Sequence, residues 1–130
     1  VVTTPEMSAV RDADRIIGLL ESKEHIESHK LLINRVRPNL IKSNDMMSVE
    51  DVQEILSTEV IGIVPEDTGI ITSTNKGEPI VNDEKSLAGQ AYQNIARRIL
   101  GEEVPFLDID EPQDFMSKVI RFFKGLFGKE

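Results

Sequence analysis

Short apolar runs alternate along the chain with stretches in which apolar positions recur every three or four residues. Val1-Val2-Thr3-Thr4 is β-branched and reads as the end of a buried strand. Leu31-Leu32-Ile33-Asn34-Arg35-Val36 and Val60-Ile61-Gly62-Ile63-Val64 are near-continuous apolar runs, as carried by parallel strands covered on both faces. Between the first two runs, Val10, Ala13, Ile17 and Leu20 recur at helical spacing, with Arg11, Asp12, Asp14 and Arg15 filling the gaps. This spacing predicts a helix from Thr4 to about Glu21, with Thr4 as N-cap, Pro5 at its first position and Glu6 beside it. Ser22 to Lys30 is polar and reads as a loop. Ser48 caps a short helix, with Asp51 near the capping-box position and Val49, Val52, Ile55 and Leu56 on one face. Ser86 begins a long helix carrying Leu87, Ala91, Tyr92, Ile95 and Ile99, closed by Gly101. Strands alternating with helices imply an α/β fold with a parallel sheet, in which ligands sit at the carboxyl ends of the strands. That rule singles out Thr4-Pro5-Glu6, Asn34-Arg35 and Pro65-Glu66-Asp67.

The periodicity changes character in the last eighteen residues. On a helical wheel Phe115, Met116, Val119, Ile120, Phe122, Phe123, Leu126 and Phe127 fall on one arc, and Ser117, Lys118, Arg121 and Lys124 on the other. All five phenylalanines of the protein lie in residues 106–127. A helix of this composition is suited to a lipid interface, where Lys118, Arg121 and Lys124 face anionic headgroups and the apolar arc supplies most of the affinity. It is too interrupted by charge to span a bilayer, which takes about 20 mostly apolar residues. Packing of the same arc onto the domain's own core, or into a groove on a protein partner, is the alternative. Glu102 to Pro112 is acidic and bounded by proline, and reads as a tether. The expected organisation is therefore a domain over residues 1–101, an acidic linker over 102–112 and an amphipathic helix over 113–130.

Charge sharpens this contrast. The chain has 15 basic and 23 acidic residues; the tail from 113 is net +2, whereas residues 1–112 hold 11 basic and 21 acidic residues, net −10. A domain so acidic repels nucleic acid and disfavours a DNA-segregation role. With no cysteine, thiolate metal sites, disulfides and thiol nucleophiles are excluded. His25 and His29 are spaced i, i+4 but lack the glutamate of zinc-protease helices, so no metal site is assigned. There is no G-x-S-x-G elbow and no G-x-x-x-x-G-K-[ST] phosphate loop; the stretch from Gly125 to Lys129 has the wrong spacing. Met46 and Met47 read as loop or core contacts. The chain opens without methionine on a strand-like run, so further polypeptide is expected upstream.

Six blocks together resemble the deviant Walker ATPases, and among them the MinD branch that regulates bacterial division. They are TPEMSAVRDADR (4–15), LLINRVRP (31–38), MMSVEDVQEIL (46–56), VIGIVPED (60–67), NKGEPIV (75–81) and FFKGLFG (122–128). ParA partitioning ATPases share the core blocks but not the C-terminal one. The resemblance implies the C-terminal part of a three-layer αβα P-loop NTPase fold, with the phosphate loop, switch regions and Mg²⁺ ligands upstream of Val1. It implies a protein that dimerises around ATP and Mg²⁺, binds the inner face of the bacterial membrane, recruits MinC and is released by MinE. Residues 1–130 alone would then be catalytically inactive. By the same resemblance Arg35, Pro65, Glu66 and Asp67 border the adenine with Asn34 adjacent, and Glu6 and Asp12 face the dimer interface. Two alternatives stay open: a non-catalytic module docking through its basic helix, and a ParA-like partitioning ATPase.

Overall fold

The computed structural model describes residues 1–109, and among these three parallel strands form one sheet in the order β1 (Val2–Thr3), β2 (Leu31–Val36) and β3 (Val60–Pro65). Val2 lies opposite Leu32 and Thr3 opposite Ile33. Leu32 faces Gly62 and Ile33 faces Ile63, after which the register shifts so that Val36 meets Pro65. Helix α1 (Met7–Glu21) connects β1 to β2, and α2 (Pro38–Lys42) and α3 (Val49–Leu56) connect β2 to β3. After β3 come α4 (Gly69–Lys76), a 3₁₀ turn (Ile80–Asn82) and α5 (Leu87–Ile99).

Because successive strand residues point to opposite faces, the near-continuous apolar runs feed two cores. Leu31, Ile33 and Val36 pack with Val10, Ala13 and Ile17 of α1 and Val52 and Leu56 of α3. Leu32 and Val64 point the other way, onto Ala88, Ala91 and Ile95 of α5. The result is a three-layer αβα sandwich. Gly62 is what lets α5 approach β3: a Cβ there would fall 2.3 Å from Ile95 Cδ1. At the start of α5, a Cβ on Gly89 would meet the Ile80 carbonyl oxygen at 2.5 Å.

Helix starts follow the local chemistry with one difference. The Ser48–Asp51 capping box forms in full: the Asp51 amide donates to Ser48 Oγ at 3.0 Å and the Ser48 amide to Asp51 Oδ2 at 3.1 Å. Ser86 caps α5 by accepting from the Gly89 amide at 2.9 Å. Thr4, by contrast, is not the cap of α1. The Glu6 amide donates back to the Thr4 carbonyl at 2.8 Å around a buried Pro5, so the chain turns first and the helix starts at Met7. Helix α4 carries little periodic signal, because Ile70, Ile71, Thr72 and Thr74 are β-branched and disfavour helix. Gly77 ends it with a φ of 72°, in the left-handed region that glycine adopts without steric cost. The amphipathic helix expected over 113–130, with Phe115, Lys118, Val119, Arg121, Phe122, Phe123, Lys124, Leu126 and Phe127, lies outside the described residues.

Candidate functional site

The carboxyl ends of β2 and β3 bring three charged side chains together. Near its end β2 is irregular: Arg35 has a φ of 56° and the ladder to β3 shifts between Ile33 and Val36. A left-handed backbone is costly for a residue with a Cβ, and it is supported by the Asn34 carboxamide oxygen, which accepts from the Arg35 amide at 2.9 Å. The kink turns Arg35 and Arg37 toward the end of β3. There the Glu66 amide donates to the Val36 carbonyl at 2.9 Å, holding the two strand ends in register. Arg37 grips the Glu66 carboxylate through both Nε and Nη2, the latter at 2.7 Å from Oε1, and Arg35 Nη2 reaches the same oxygen at 3.3 Å. The Arg37 hydrogen bond, with Arg35 behind it, holds the Glu66 carboxyl below the usual carboxylate range; Glu66 in turn raises Arg37, with Glu6 adding a weaker pull.

Asp67 is turned differently. Its Oδ2 accepts from the Ser86 hydroxyl at 2.6 Å and its Oδ1 from the Gly69 amide at 2.8 Å. The Ser86 hydrogen bond, with the Gly69 and Ala88 amides adding to it, holds Asp67 ionised below its usual range against the opposing effect of burial. Asp67 therefore ties the end of β3 to the starts of α4 and α5 while Glu66 faces outward.

Beside the Arg37–Glu66 pair lies an open cavity of about 410 Å³. Val36, Pro38, Leu40, Pro65, Leu87 and Ile109 supply apolar walls, and Arg37, Asn39 and Glu66 a polar rim. Apolar walls with a few convergent polar groups suit a flat heteroaromatic ring with hydrogen-bonding edges. Of the residues singled out from sequence, Pro65 and Glu66 line this cavity, Arg35 reaches it through Glu66, and Asp67 stands behind it. Asn34 lines a separate groove of about 440 Å³ with Thr3, Thr4 and Asp12. Asp12 is exposed there and pairs with Arg15 at 3.4 Å, and Glu6 is exposed at the start of α1. Sequence reasoning passed over Arg37, Leu87 and Ile109. A signal for Arg37 exists, since a residue immediately before Pro38 is held extended at the strand end.

Among the described residues no group of three or more histidines and carboxylates is arranged to hold a metal ion, and no helix is long and apolar enough to cross a membrane.

No family model matches the chain. It is 59% identical over 122 residues to the septum site-determining protein MinD of Synechocystis, an alignment covering 93% of this chain and 46% of that protein. Among solved structures it resembles the MinC:MinD cell division protein complex of Aquifex aeolicus, with 49% identity, a TM-score of 0.76, and coverage of 80% of this chain and 43% of that one. The septum site-determining protein MinD of Pyrococcus horikoshii, solved with Mg-ADP, shares the fold at 24% identity and a TM-score of 0.64, over 75% of this chain and 40% of that one. The chain thus spans a little under half the length of the relatives it matches.

Proposed function

Because the chain belongs to the MinD family of septum site-determining proteins over the length that it spans, we propose that it is the C-terminal half of an ATPase that helps place the division septum. Its share of the work is the base side of the nucleotide site. The single observation that carries this reading is the cavity at the carboxyl ends of β2 and β3, where an Arg37–Glu66 pair stands over the apolar walls of Val36, Pro65 and Leu87. Adenine fits such walls, and the Mg-ADP in the Pyrococcus relative supports a nucleotide ligand. Arg35, Pro65, Glu66 and Asp67 border or brace that site in this reading, with Asn34 adjacent. Bound ATP supplies the phosphoanhydride that is hydrolysed. The groups that handle its phosphates and Mg²⁺ are assigned to the rest of the full-length protein, since this sequence has no G-x-x-x-x-G-K-[ST].

The reading extends to assembly. Glu6 and Asp12 are assigned to the face of an ATP-dependent homodimer, MinC is a partner by the Aquifex complex, and MinE is the agent of release by the earlier resemblance. The basic amphipathic segment 113–130 is assigned to the anionic inner surface of the cell membrane. Two such segments in a dimer bind with an avidity that exceeds one by about 10²–10⁴-fold.

Photolabelling of the intact protein with 8-azido-ATP tests the site. Peptides spanning residues 36–40, 65–67 and 87 are expected to carry the label, and its placement elsewhere would overturn the reading. Phe122→Asp in the same protein is expected to abolish binding to anionic vesicles without lowering nucleotide affinity.

A further inference from the structure

Residues 102–109 contain neither helix nor strand, yet both ends of the segment are anchored. At the near end is Arg98, in the last turn of α5. Its guanidinium donates from Nε to the Val104 carbonyl at 2.9 Å, from Nη2 to the Pro105 carbonyl at 2.9 Å, and from Nη1 to the Ile61 carbonyl of β3 at 3.0 Å. The same group lies over the Phe106 ring, 4.3 Å from its centroid. One side chain thus joins the segment to β3 by three charge-assisted hydrogen bonds and a cation–π contact.

From that staple the chain runs back along the sheet. Leu107 packs on the core formed by Val64 and α5, and Ile109 on the core formed by α1 and α3. The direction is that of β3: the staple sits at Ile61, near the start of the strand, whereas Ile109 lies with Val36 and Pro65, the last residues of β2 and β3. There its side chain forms one wall of the cavity that also contains Arg37, Glu66 and Leu87.

We propose that residues 102–109 are a strap whose far end is part of the ligand site, with Ile109 packing on the heteroaromatic ring of a bound nucleotide. The proposal rests on the base-site reading above. Its content beyond that reading is a linkage. If a seated strap raises nucleotide affinity by some factor, bound nucleotide must raise the seating of the strap by the same factor. Arg98 acts at a distance as a positioning residue: it touches no ligand, but it fixes the start of a short segment whose end must reach the cavity. Because the basic amphipathic segment follows this strap in the chain, the ligand also influences how the root of that segment is held.

The test uses the intact protein, with ADP and ATP as probes, and two readouts: nucleotide affinity by titration, and hydrogen exchange of the amides of residues 104 and 106–109 with and without nucleotide. Ile109→Ala is expected to weaken ADP binding by about fivefold, the lower end of typical couplings between linked sites. Arg98→Lys, which retains the charge but loses the three-pronged geometry, is expected to weaken it by a smaller factor. In the wild type, ADP is expected to slow exchange across 104–109, and in Arg98→Lys that protection is expected to shrink. Arg37→Ala serves as the reference for the cavity itself. If it loses nucleotide while Ile109→Ala binds normally and exchange at 104–109 ignores ADP, the strap is overturned and the base site stands. If neither variant alters binding, the base-site reading and the strap fall together.

Discussion

At the end of β2 the backbone itself is bent out of regular geometry, whereas at the end of β3 the backbone stays regular and side chains do the organising. Arg35 sits at a φ of 56° and the ladder slips, and the outcome is a pair of solvent-facing guanidiniums on one carboxylate. Asp67, one residue beyond that carboxylate, is braced by Ser86 and Gly69 into the starts of two helices. The first end is a surface arrangement that tolerates rearrangement. The second is a junction on which α4 and α5 both depend. Adjacent carboxylates thus divide the labour: Glu66 presents charge to the cavity, and Asp67 holds the frame that positions it.

The largest effect should come from breaking the braced end. Asp67→Ala removes an ionised acceptor from a hydroxyl and a backbone amide, each such bond being worth about 1.5–3 kcal/mol. Partial exposure reduces this, and a loss of about 2 kcal/mol in urea unfolding is expected, together with loss of nucleotide binding. Gly89→Ala should follow, because the new Cβ meets the Ile80 carbonyl at 2.5 Å and backbone yields poorly. Overpacking of this kind costs about 1–3 kcal/mol. A Gly89→Ala protein as stable as the parent would mean that the start of α5 is not held where the Ser86 cap places it.

Acid sharpens the comparison. The Asp67 carboxyl is held below its unfolded range in the native protein, so its contribution is present in full above that range and is lost as pH falls through the folded value. The stability gap between the parent and Asp67→Asn is therefore expected to be constant above about pH 5 and to close as the pH drops below it. A gap that widened in acid would reverse the assignment.

The smallest effect is expected at Arg35. Arg35→Gly removes about 1 kcal/mol of left-handed strain and loses an exposed ion pair worth about 0.2–1 kcal/mol, so unfolding should move by less than about 1 kcal/mol. Arg35→Ala keeps the strain and should be the less stable of the two. Equal stability would show that Asn34, not glycine-like freedom, is what makes the bend affordable.

The same contrast explains how far the sequence could be read. The strand runs 31–36 and 60–64, the Ser48 capping box and the Ser86 cap are local patterns, and each was visible without the structure. That both strand ends carry charged groups was visible too. Which side chains meet was not, because a shift of the ladder between Ile33 and Val36 changes which residues turn toward β3. Arg37 therefore escaped notice although it grips Glu66 more closely than Arg35 does. Ser86 reads locally as a cap, but its hydrogen bond to Asp67 spans 19 residues and leaves no local trace. Ile109 lies in a segment whose acidity and prolines suggested a free tether. Its place against the cavity depends on the staple at Arg98, which joins residues 37 apart.

The bare face of Gly62 has a further consequence, for the timing of local opening. With Ile95 seated where a side chain would otherwise be, α5 cannot slide along β3 without separating from it. Strand and helix should then open as one cooperative unit, and the amides of residues 61–64 and 91–97 should exchange with deuterium at a common free energy. Helix α4, most of it in contact with solvent, is expected to exchange ahead of them.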